Sequence, residues 1–179
     1  MARNTLSRTL HDVGLAAWFG GTLANAVALN PAAGEARGSR STGRVANAGW
    51  DRWTPVNAAA IGAHVVGSVG QLIGNRGRVA RQQGVAGMSA LKTALTVAAL
   101  GVTGYSRVLG MRVSAAGDVP ARSGTKPRKR TKAEVAAAQE QLDVLQWVVP
   151  ALTGALVAVS SYAGEQQRAG EVVKGVAEA

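Results

Sequence analysis

Uncharged residues in this chain collect in long unbroken runs. Between Asp12 and Glu35 lie 22 residues without a charge, between Arg52 and Arg76 lie 23, and between Asp143 and Glu165 lie 21. Crossing a hydrocarbon core of about 30 Å takes roughly 20 helical residues at 1.5 Å each, so each run is long enough to span a bilayer. A fourth run, between Lys92 and Arg107, holds 14 residues. It reaches spanning length if Arg107 snorkels or turns into the bundle. The runs are continuous and lack the short polar alternation of barrel strands, which favours helices. The pattern predicts an all-α polytopic membrane protein, a single membrane domain over 1–179. Its bundle of four transmembrane helices covers about 10–30, 54–74, 91–111 and 145–164, with a basic loop over 112–143. A soluble, alanine-rich bundle is the alternative, and it requires four such runs to arise by accident among 30 charged residues. The N-terminus, with Arg3 and Arg8 ahead of an apolar stretch, imitates a secretory signal. Its run exceeds the h-region of about 7–15 residues, and retention as the first span is expected.

Association in lipid depends on close backbone approach and interhelical polar contacts, because lipid tails solvate leucine as well as a neighbouring helix does. Small residues at alternating spacings of three and four mark the expected seams. The first span carries Gly14, Ala17, Gly21 and Ala24, the second Ala60, Ala63, Gly67, Gly70 and Gly74, and the fourth Ala151, Gly154 and Ala158. Such a rhythm keeps one stripe facing a partner.

Beside these seams polar residues recur every seven positions, which is two helical turns and therefore one face. They are His11, Trp18 and Asn25 in the first span, Asn57, His64 and Gln71 in the second, Thr96 and Thr103 in the third, and Gln146, Thr153 and Ser160 in the fourth. Unpaired amides and imidazoles are costly in hydrocarbon, so these faces should point inward. Interhelical hydrogen bonding accounts for them. The more specific alternative is a polar path through His11, Asp12, Asn25, Asn57, His64 and Gln71, with His64 near mid-membrane.

Composition narrows the chemistry. There is no cysteine and there are only two histidines, which excludes disulfides, thiolate metal sites and a three-histidine site. No G-x-S-x-G, H-E-x-x-H or Walker A pattern occurs, so no enzymatic activity, cofactor or metal is expected. Counted from the charged ends of their spans, His11 and His64 sit roughly 13 Å apart along the axis at 1.5 Å per residue, which argues against a heme held by both. Asp12 is expected to pair with Lys92 or Arg76 at the membrane surface.

The chain carries a formal charge of +10, and Lys126, Arg128, Lys129, Arg130 and Lys132 crowd into one loop. Next to a span such a run attracts anionic lipid headgroups. Nucleic acid is a poor fit for it, because aromatic interleaving and a basic fold are missing. With four spans, loops 1 and 3 hold twelve cations and the opposite face eight. The positive-inside rule then puts those loops in the cytoplasm, with Trp50, Trp53 and Trp147 at that interface. The arginine-, alanine- and glycine-heavy composition suits a bacterial plasma membrane.

His11-x-x-Gly14-x-x-x-Trp18-x-Gly20-Gly21, continuing to Asn30-Pro31, resembles the opening helix of copper-resistance-D-like small membrane proteins. The resemblance covers about 20 of 179 residues and implies a four-helix membrane unit, with metal handling as a family trait. Met88 and Met111 are the only internal methionines, so the architecture carries over and the copper does not. The functional expectation is a non-enzymatic membrane subunit packing against itself or a larger complex. The alternative is a small transporter or channel for a proton, metal ion or small solute, built around His64.

Overall fold

A computed structural model describes residues 4–117 and 120–178. Arg3, counted above among the surface cations, lies outside the described residues. All regular elements among the described residues are helical, apart from one isolated antiparallel bridge between Ala121 and Pro127. In order they are α1 (Thr5–Ala24), a π-helical turn (Asn25–Leu29), α2 (Asn30–Ala33), α3 (Ser39–Gly74), α4 (Arg76–Arg81), α5 (Val85–Ala115), α6 (Ala133–Glu165) and α7 (Ala169–Ala177). Four helical stretches are long and apolar enough to cross a membrane: Thr5–Ala33, Arg40–Gly74, Val85–Ala115 and Ala133–Glu165. Each contains one expected span and runs past it. Charge sets where immersion ends, but polar stretches such as Ala133–Asp143 still satisfy their backbone by continuing the helix.

The four long helices meet in one layer to which each contributes a single buried residue: Trp18 from α1, Ala60 from α3, Ala99 from α5 and Val149 from α6. Three alanine and valine positions around one indole let the backbones close on a large ring, and Trp18 is fully buried. A second cluster, Leu109 and Val113 with Val135 and Ala138, joins α5 to α6 beyond this layer. The neighbour relations are uneven. α1 packs along α3, α5 along α6 and α1 against α6, whereas α3 and α5 touch only slightly. A groove therefore separates α3 from α5.

The α1–α3 contact is close because of glycine. A Cβ on Gly67 would stand 2.5 Å from Ser7 O and 2.7 Å from His11 Cα, and one on Gly14 would meet Ala60 O and the His64 backbone. Gly70 faces Ser7, Gly74 faces Asn4, and Gly21 receives the ring of Trp53. These pairs fix an antiparallel register in which His11 lies opposite Gly67 and Gly14 opposite the turn from Ala60 to His64.

Pro31 explains the π turn. Proline removes a backbone N–H and its ring crowds the carbonyl four residues back. A turn widened by one residue directly ahead of Pro31 relieves that conflict. It also places Asn25 and Asn30, five residues apart, both in the interior.

Candidate functional site

His11 and His64 are both buried, and their ring centroids are 4.6 Å apart at an interplanar angle of 45°. The expected axial offset of roughly 13 Å at 1.5 Å per residue is wrong. The α1–α3 register set by Gly14, Gly67 and Gly70 brings the two histidines within one helical turn of each other. The argument against heme changes with it, since rings this close leave no room for a macrocycle between them.

The partners of each ring fix its tautomer. His11 Nδ1 donates to Asp12 Oδ1 at 2.7 Å, and His64 Nδ1 donates to the His11 carbonyl at 3.3 Å. His64 Nε2 is then the acceptor for the Thr96 hydroxyl at 3.4 Å. Trp18 closes the other side of His64 edge-on, with ring centroids 6.0 Å apart. Asp12 is thus engaged with His11, and among the described residues it forms no ion pair with Lys92 or Arg76. No cluster of three or more metal-ligating side chains occurs among the described residues.

Two cavities lie along the α3–α5 groove, one on each side of this imidazole pair. The cavity towards loops 1 and 3 has a volume of about 340 Å³ and is lined by Trp50, Trp53, Asn57, Ile61, Thr103 and Arg107, among others. The cavity towards the termini, about 320 Å³, is lined by residues including Gln71, Asn75, Lys92 and Thr96. Leu100 borders both. The seven-residue stripe of α3 therefore runs from Asn57 in one cavity, past buried His64, to Gln71 in the other. Thr96, which holds His64 Nε2, opens onto the cavity on the terminal side. Trp18, Ala60, Ala99 and Val149, with Ile61 and Leu100 packed on them, separate His64 from the opposite one.

The remaining expected positions divide. Ala60 is buried, Ala17 and Ala63 are half-buried, and Gly154 lies 3.2 Å from the ring of Phe19 when given a Cβ. Ala24, Ala151 and Ala158 turn away from the bundle. Asn25 is buried with its Nδ2 unpaired. Lys126, Arg128, Lys129, Arg130 and Lys132 are all exposed. Trp147 faces outward, whereas Trp50 and Trp53 turn inward to Asn30 and Gly21 instead of forming part of an aromatic belt.

A polar plug at the loop side was not legible in the sequence. Asn30, 1% exposed, donates through Nδ2 to Gln146 Oε1 at 2.8 Å and accepts from Trp50 Nε1 at 3.1 Å. Its carbonyl accepts from Gly124 N at 3.0 Å. Thr125 is buried beside it, donating to Asp143 Oδ1 at 2.7 Å and accepting from Gln146 Nε2 at 3.2 Å. Gly124 and Thr125 thereby stop the mouth of the first cavity. The only sequence signal was Asn30-Pro31 at a helix end. Asn30→Ala is expected to unpair Trp50 Nε1 and Gln146 Oε1, cost about 1–3 kcal/mol, and free the segment 121–127. Faster proteolysis within that segment is the readout; cleavage unchanged from wild type would show that the plug does not depend on Asn30.

On the terminal side, α4 and the residue after it are tied to the end of α6 beside the cavity on that side. Arg78 donates to Gln166 O and to Gln82 Oε1, both at 2.9 Å, and Gln82 Nε2 donates to Gln166 O at 3.1 Å. Burial, with the charge of Arg8 adding to it, pushes the Arg78 guanidinium down from its ordinary value. Arg8 itself donates to Gln167. No protein-family model, curated protein or solved structure matches the chain.

Proposed function

We propose that the chain is a small proton-translocating protein of a plasma membrane, with His64 as the relay and loops 1 and 3 on the cytoplasmic side. The supporting observation is the buried imidazole pair at 4.6 Å, lying along α3 between the Asn57 that lines one cavity and the Gln71 that lines the other. Ionisable side chains inside a membrane are costly and by default mark a pathway. A proton arriving through the cavity on the terminal side meets the Thr96 hydroxyl and then His64 Nε2, which accepts from it. Passage onward requires Trp18 and Leu100 to part. His64 thus reaches one cavity through Thr96 and is walled from the other by apolar side chains, the asymmetry that alternating access needs. The basic run from Lys126 to Lys132 would hold the loop side at an anionic lipid surface.

The test is proton flux into vesicles carrying the purified protein, followed with an entrapped pH dye. His64→Gln is expected to lower flux on the order of a hundredfold, the lower end of what a positioned proton-transfer group contributes, at unchanged protein level. Equal flux in the variant and the wild type would overturn the proposal. It would leave the second reading, an accessory subunit that packs against itself or a larger complex. That reading is favoured by one observation: α5 presents Gly101 and Gly104, which meet nothing, beside the exposed side chains of Val97, Tyr105 and Val108.

A further inference from the structure

The cavity towards loops 1 and 3 is graded along its length. Its floor is apolar, formed by Ile61, Leu100, Leu145 and Val149, and its opposite end carries Asn47, Ser114 and Arg107. Its walls are α3 and α5, the two long helices that scarcely touch, so it opens sideways between them. Gly124 and Thr125, held by the Asn30 and Asp143 bonds, stop it at the loop end. A ligand therefore enters from the bilayer. Arg107 is 39% exposed at this opening, and its nearest carboxylate, Asp51 Oδ1, stands 3.8 Å away. At that distance the guanidinium keeps its fork of donors available for a phosphate. The surrounding face carries an excess of positive charge, twelve cations against six acids in loops 1 and 3.

We infer that the α3–α5 groove binds one anionic phospholipid, with its phosphate at Arg107 and an acyl chain laid against Ile61 and Leu100. An apolar floor suits the chain, a lateral opening admits it from the membrane, and a cation with one distant partner suits the headgroup. The site is separate from the exposed run Lys126–Lys132, which can hold headgroups only at the surface. It also does not depend on proton movement through His64.

The experiment is native mass spectrometry of the detergent-extracted full chain with added phosphatidylglycerol or phosphatidylcholine. One phosphatidylglycerol is expected to stay bound at energies that strip phosphatidylcholine. Arg107→Gln should weaken its retention about fivefold, as expected for loss of one cation near a phosphate. A variant with Lys126, Arg128, Lys129 and Arg130 all changed to Gln should retain it. In parallel, phosphatidylglycerol brominated along its chain should quench tryptophan fluorescence of the wild type through Trp50 and Trp53, more than the brominated phosphatidylcholine does. Equal retention of both lipids, unchanged retention in Arg107→Gln, loss only in the loop variant, or equal quenching by the two lipids would each overturn the inference. So would a dimer whose formation displaces the lipid, since a second copy would then fill the groove.

Discussion

Gly67→Leu is expected to drive α1 and α3 apart. A side chain at this position meets Ser7 O at 2.5 Å and His11 Cα at 2.7 Å, and backbone cannot rotate away as a flexible side chain can. Overpacking of well-packed interiors costs about 1–3 kcal/mol when side chains absorb it. Here backbone must move, so a loss above about 3 kcal/mol is expected. Each helix satisfies its own hydrogen bonds in lipid. Far-ultraviolet circular dichroism should therefore remain helical while the thermal midpoint in detergent falls sharply. Gly101→Leu is the control, because a Cβ there meets nothing, and its midpoint should stay within about 0.5 kcal/mol of wild type. Equal midpoints for the two variants would mean that the glycine contact does not hold the helices together.

Trp18→Ala has the next largest expected effect, and it reaches both stability and flux. Trp18 is fully buried in the layer shared by all four long helices. Truncating a buried tryptophan costs about 3–5 kcal/mol. In a bilayer the lower end applies, about 3 kcal/mol, because the transfer contribution shrinks and the lost packing remains. On the proposed proton pathway the same change removes the ring standing edge-on to His64 and joins the two cavities. Vesicles carrying Trp18→Ala should then pass protons faster than wild type, and Trp18→Phe should restore most of both properties. A destabilised variant with reduced flux would separate the two roles and show that the indole does not act as a barrier.

The sequence revealed how many helices are long and apolar enough to cross a membrane and which polar faces turn inward. It did so because charge is excluded from hydrocarbon and unpaired polar groups are costly there. His11, Trp18 and Asn25 recur every seven residues and all three are buried. Register was not legible. Span ends counted from charged residues placed His11 opposite the far end of α3, whereas the glycines at 14, 67 and 70 slide the helices until the imidazole centroids stand 4.6 Å apart. Small residues indicate that helices can approach closely, but three-and-four spacing repeats along each helix and so permits several registers. Asp12 was read as a surface charge seeking a cation, and its adjacent imidazole proved nearer. Ala24, Ala151 and Ala158 show the opposite error, since alanine is also tolerated on a face turned outward. The loop plug escaped because Gly124 and Thr125 belong to no periodic segment, and their partners, Asn30 and Asp143, are remote in the chain.

The widened turn at Asn25–Leu29 makes the two possible changes in spacing unequal in their effect. One residue of an ordinary α-helix advances the face by about 100°, and the wide turn accommodates one more than a regular helix holds. Deleting a single residue from 25–29 would restore regular winding upstream of Pro31 and leave Asn30 on the face it already occupies, whereas adding one there would swing it out towards the acyl chains. Trp50, Gln146 and Gly124 would lose their common partner through the insertion and keep it through the deletion. An added alanine, chemically the mildest of lesions, would therefore unseat the loop far more thoroughly than a missing one.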